Sequence, residues 1–79
     1  MKKVKVYSTP ACPFCTVAKN FLKEHGIEFE DINVQQDLEA AQEMIRKSGQ
    51  TGVPVIEIDG KIIIGFNEPR LRKELGLDE

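Results

Sequence analysis

Two cysteines separated by two residues, Cys12-Pro13-Phe14-Cys15, are the residues of this chain whose types and spacing can do chemistry. A thiolate attacks a disulfide sulfur, and a second thiol within reach resolves the mixed disulfide that forms. Such a pair therefore cycles between dithiol and disulfide. The chain has no other cysteine in its 79 residues, too few for the stapled framework of a small secreted protein. Metal binding is the rival use of the pair. A structural zinc site takes four ligands, and the one histidine, His25, stands ten residues beyond Cys15, at the far end of the same expected helix. A site shared by two chains, or an iron–sulfur cluster bridging two chains through Cys12 with external thiols, stays open. Two inert buried thiols are a third reading, which a place at the start of a helix argues against.

The elements that must position the pair follow from periodicity. Val4 and Val6 alternate with lysines up to Ser8-Thr9-Pro10, the pattern of a short strand closing at a turn. From Pro13 to about His25, Val17, Ala18, Phe21 and Leu22 are expected on one helical face, with Gly26 and Ile27 forming a left-handed cap. This puts Cys12 at the N-cap, Pro13 at N1 and Cys15 at N3. Free N–H groups and the positive dipole end of a first turn stabilise negative charge on a sulfur there. Cys12 is thus the expected nucleophile, and Cys15, one turn in, the resolving thiol.

A second strand over residues 28–34, reached by a helical crossover, is expected to run parallel to the first. A second helix starts at Asp37 and stops at Ser48-Gly49, with Leu38, Ala41 and Ile45 as its apolar face. Val55-Ile56-Glu57-Ile58, Asp59-Gly60 and Lys61-Ile62-Ile63-Ile64 form a two-residue hairpin. Asn67 caps a last helix, with Pro69 in its first turn, Phe66 and Leu71 as a hydrophobic staple, and Gly76 at its end. The order βαβαββα predicts an α/β fold, a four-stranded mixed sheet flanked by three helices, as one domain over residues 1–79.

Composition narrows the partners. Hydrophobic residues make up 41% and charged residues 30%, as in an ordinary globular domain. Eleven Lys and Arg against thirteen Asp and Glu give a net charge of −2, which offers no basic footprint for nucleic acid. Lys2, Lys3 and Lys5 alternate with Val4 and Val6 as the solvent side of a strand. The longest aliphatic run is Ile62-Ile63-Ile64, too short for a membrane span, and no apolar signal segment opens the sequence. A cytoplasmic monomer is expected.

With these features together the chain resembles a glutaredoxin, of the thioredoxin-like superfamily. The resemblance runs through Val6-Tyr7-Ser8, Cys12-Pro13-Phe14-Cys15, Gly52-Val53-Pro54 and Gly65. It implies a thioredoxin-like fold and a thiol–disulfide oxidoreductase acting on protein or glutathione mixed disulfides, with no tightly bound cofactor. It also implies a cis Val53-Pro54 bond facing the thiols, whose Val53 N–H and C=O pair with the backbone of a bound disulfide like an added strand. Pro13 and Phe14 would line that contact. Glutathione, as reductant or substrate, would lie between the Cys12 loop, Val53-Pro54 and the last helix beyond Gly65. Its γ-glutamyl carboxylate would meet the N–H groups of Asn67 and Glu68, and its glycine carboxylate would meet Gln50, with Arg46 or Lys47 nearby. Gly52 stands where many members have Thr, and Asn67-Glu68 where many have an Asp pair. Gly65-Phe66 and Pro69 instead resemble redoxins that take electrons from a thioredoxin-reductase-like flavoprotein and feed ribonucleotide reductase.

Overall fold

The computed structural model describes residues 3–77, so Lys2 of the basic alternation lies outside the described residues. Strand β1 (Val4–Ser8) is followed by α1 (Pro13–Glu24), β2 (Glu30–Asn33), α2 (Leu38–Ser48), β3 (Val55–Ile58), β4 (Lys61–Ile64) and α3 (Glu68–Leu75). The sheet order is β2-β1-β3-β4. β1 runs parallel to β2, with Val6 opposite Asp31, and antiparallel to β3, with Val6 opposite Ile56. The βαβαββα order and the four-stranded mixed sheet read from the sequence are the ones found.

Two-residue alternation divides the strands between two faces. Val4 and Val6 of β1 and Ile56 and Ile58 of β3 join Ala18, Phe21 and Leu22 of α1 and Leu71 of α3 in one core cluster. Tyr7 and Val55 point the other way and pack with Met44 of α2. The sheet is thus a wall with α1 and α3 on one side and α2 on the other. The buried Tyr7 hydroxyl donates to Glu43 Oε1 at 2.9 Å, and Lys47 of α2 reaches across to Glu57 of β3 at 2.8 Å. In the hairpin, Asp59 and Gly60 have φ of 50° and 87°, the left-handed pair that lets two residues turn a twisted ribbon.

Three local expectations shift. Strand β2 covers four residues rather than 28–34, because Ile27 and Phe29 turn into the α1 and α3 core instead of extending the ladder. Val17 is 44% exposed. The buried stripe of α1 is Cys15, Ala18, Phe21 and Leu22, and Val17, two residues and about 200° past Cys15, faces away from it. In α2 the inward residues are Ala40 and Met44, while Leu38 and Ile45 are 72% and 41% exposed. The face is rotated by one residue, about 100°, from the 38, 41, 45 stripe. The capping follows the sequence: Asp37 and Asn67 accept from the third N–H beyond them, and Gly49 and Gly76 close left-handed. Phe66 packs edge-on to Phe21 at 5.8 Å between centroids, within the cluster that holds Leu71.

Candidate active site

The end of β1 and the start of α1 create the thiol loop. Cys12 is the N-cap of α1, with φ −101° and ψ 110°, and its N–H meets the Thr9 carbonyl at 3.4 Å. Its sulfur, where a serine or aspartate oxygen would ordinarily cap, accepts the Cys15 N–H at 3.1 Å. A backbone N–H in the first turn is therefore already aimed at the sulfur, together with the positive end of the dipole. Both cysteines are free thiols; Cys12 is partly exposed and Cys15 buried. Phe14, 64% exposed, stands between them on the outer side of the loop, next to the exposed Pro13.

Burial pushes the Cys15 thiol up to about 11, its hydrogen bond with Cys12 adding to the rise and a Thr9 backbone bond and Lys19 partly offsetting it. Lys19, one turn beyond Cys15, is held by Asp31 at 3.1 Å, and Asp31 also accepts from Ser8 Oγ at 3.0 Å. Tyr7 is likewise raised to about 12, by burial first and then by its bond to Glu43. Both folded values exceed the ordinary ones of 9.0 and 10.0. The fold therefore favours the neutral forms, and that stability is whole below pH 9 and lost as pH rises through the folded values. Urea midpoints of the reduced protein are expected to fall from about pH 9 to 12. Cys15→Ala should remove the earlier part of the decline and Tyr7→Phe the later part. A flat profile from pH 8 to 12 would contradict this.

The second segment of the site enters from the sheet side. The Val53-Pro54 peptide is cis, and the Cys12 thiol donates to the Val53 carbonyl over 3.8 Å. Among the described residues no hydrogen bond is made by the Val53 N–H. Pro54 is buried, and its carbonyl accepts the N–H of Gly65 at 2.8 Å, which ties the start of β3 to the end of β4. Gly65 has φ 76°, a left-handed conformation that turns the chain from β4 toward α3 and favours glycine.

The third segment is the α3 N-terminus. Asn67 Oδ1 caps the Arg70 N–H at 3.3 Å, and Glu68 pairs with Arg72 at 3.0 Å. Both side chains are thus engaged within their own helix, while both residues are exposed. Gln50 is turned onto its own loop: its amide donates to the Gly52 carbonyl at 2.9 Å and accepts the Gly52 N–H at 2.8 Å. Lys47 is committed to Glu57 and, at 3.6 Å, to Glu43. The structure brings Cys12, Cys15, Val53, Pro54 and Gly65 into one connected site. Gly52 and Lys19 are partners the sequence reading did not assign. Lys19 was legible as the residue four beyond Cys15; the fit of Gly52 to Gln50 had no sequence signal.

The sequence matches the glutaredoxin family over residues 4–63. It is 50% identical over 70 residues, 89% of this chain and 93% of the relative, to an uncharacterised glutaredoxin-like 8.6 kDa protein of the rubredoxin operon of Clostridium pasteurianum. The fold superposes on the glutaredoxin of Archaeoglobus fulgidus with a TM-score of 0.85 and 29% identity, over 95% of this chain and 87% of that one. The glutaredoxin-like NrdH-redoxin of Escherichia coli aligns with a TM-score of 0.81 and 27% identity, over 90% and 92% of the two chains. A family match over residues 4–63, a relative identical at half of the 70 aligned residues and this thioredoxin-like architecture make the protein a member of the glutaredoxin family of thiol–disulfide oxidoreductases.

Proposed function

We propose that Cys12 is the attacking thiol and Cys15 the resolving thiol of a cytoplasmic, monomeric enzyme that reduces disulfides of proteins and of glutathione adducts. The observation that carries this reading is the 3.1 Å approach of the Cys15 N–H to a partly exposed Cys12 sulfur, with the Cys15 thiol buried beneath it. Cys12 thiolate attacks the substrate disulfide, and one substrate sulfur leaves as a thiolate that takes up a proton. Cys15 gives up its proton and attacks the Cys12 sulfur, the second substrate thiolate departs, and a Cys12–Cys15 disulfide remains. A donor then returns two electrons and two protons. Pro13 and Phe14 line the approach. The free N–H and the carbonyl of Val53 pair with the backbone beside the substrate disulfide.

Glutathione is the donor in this reading, its γ-glutamyl carboxylate received by the N–H groups of Asn67 and Glu68 at the α3 N-terminus beyond Gly65. A second reading takes electrons from a thioredoxin-reductase-like flavoprotein and delivers them to ribonucleotide reductase. It is favoured by the engagement of Gln50 and Lys47 with their own neighbours, which leaves the glycine carboxylate without those contacts. The deciding experiment follows reduction of the oxidised protein by glutathione with glutathione reductase, and separately by thioredoxin reductase with NADPH. Turnover with glutathione is expected. Turnover with the flavoprotein alone transfers the assignment to the second reading, and turnover with neither ends both.

A further inference from the structure

Between α2 and the Val53-Pro54 segment runs a continuous relay of hydrogen bonds. The Ser48 hydroxyl, on the last residue of α2, lies 2.7 Å from the Met44 carbonyl and 3.0 Å from that of Gln50, and accepts the Gln50 N–H at 3.3 Å. The Gln50 carboxamide then closes on residue 52 from both sides, accepting its N–H and donating to its carbonyl. The next residue, Val53, presents its carbonyl to the Cys12 thiol. This closure has a steric condition. A β-carbon on Gly52 would stand 2.8 Å from Gln50 Oε1, closer than real β-carbons come, so a side chain there forces the carboxamide oxygen off this position. Gly52 is not among the glycines with positive φ. Its lack of a side chain is needed for space and not for backbone conformation.

We propose that Gln50 is a positioning residue for exchange at Cys12. By closing on Gly52 it fixes the Val53 N–H and carbonyl where a peptide disulfide must pair, and Gly52 is the condition for that closure. The proposal rests on the exchange reading given above. A peptide substrate uses the Val53 backbone, whereas hydroxyethyl disulfide has no backbone to pair with it. Loss of the brace therefore changes the preference between the two.

The test measures kcat/KM for a glutathionylated peptide and for hydroxyethyl disulfide. In Gln50→Ala the peptide-to-small ratio is expected to drop about three- to tenfold, the worth of one backbone hydrogen bond. The loss should lie in KM more than in kcat. Gly52→Ala, which displaces the same carboxamide oxygen, is expected to lower the ratio in the same direction, and the double variant to fall no further than Gln50→Ala, because both changes act on the same closure. Gln50→Glu keeps the acceptor for the Gly52 N–H and loses the donor to the Gly52 carbonyl, so it should fall between. An unchanged ratio in Gln50→Ala, or losses that multiply in the double variant, overturns the proposal. No exchange by the unsubstituted protein with either disulfide would instead overturn the exchange reading itself.

Discussion

Cys12→Ser is expected to abolish disulfide exchange, whereas Cys15→Ser is expected to accumulate a mixed disulfide at Cys12. The asymmetry follows from where each sulfur sits. Cys12 caps a helix, partly exposed, with an N–H already on its sulfur. A serine oxygen would take the same capping bond yet remain a neutral hydroxyl, because an alcohol gives up its proton far less readily than a thiol. Cys15 is fully buried, out of reach of an external disulfide, and burial pushes its thiol up to about 11, which disfavours its thiolate at neutral pH. It acts once a disulfide at Cys12 has formed within one helical turn of it. With Cys15 removed, the adduct waits for an external thiol, and turnover becomes dependent on glutathione concentration. Mass spectrometry of the protein after brief exposure to oxidised glutathione reads the adduct, and iodoacetamide at neutral pH should label Cys12 well before Cys15. Full activity in Cys12→Ser would remove the assignment.

What the sequence made legible was local. The N-cap position of Cys12, the Asp59-Gly60 turn and the caps at Asp37, Gly49, Asn67 and Gly76 are set by chemistry within four residues, and each is found where it was read. Which way a helix faces depends on what it meets. The α2 pattern contained two offset apolar stripes, and Tyr7 and Val55 on the sheet selected the one through Ala40 and Met44, leaving Leu38 and Ile45 outside. Contacts such as Lys19 with Asp31 or Tyr7 with Glu43 need strand register before they can be written down. The Gln50 expectation fell in the same gap. A polar side chain at a helix end offers itself to a ligand until the loop closes and shows that its own backbone has taken both ends.

Leu22→Ala is expected to cost about 2–5 kcal/mol, a large share of the roughly 5–15 kcal/mol that holds such a domain. Leu22 is fully buried in the cluster that fastens α1 to β1, β3 and α3, and its carbonyl accepts the Ile27 N–H at 2.9 Å in the helix cap. A small domain has few neighbours able to close over the space left, so the transfer loss and the cavity add. Val17→Ala, five residues earlier on the exposed side of the same helix, should change stability by no more than about 0.5 kcal/mol. Urea midpoints compare the two directly. The consequence reaches the site through Cys15, whose alkylation in the native protein requires α1 to lift from the sheet. Slow labelling of Cys15 should then accelerate in Leu22→Ala by about thirty- to five-thousandfold, the same 2–5 kcal/mol expressed as an opening equilibrium. Labelling of the partly exposed Cys12 needs no such opening and should change far less. A Leu22→Ala protein as stable as the unsubstituted one, or one in which both thiols accelerate together, would mean that α1 is not held to the sheet by this cluster.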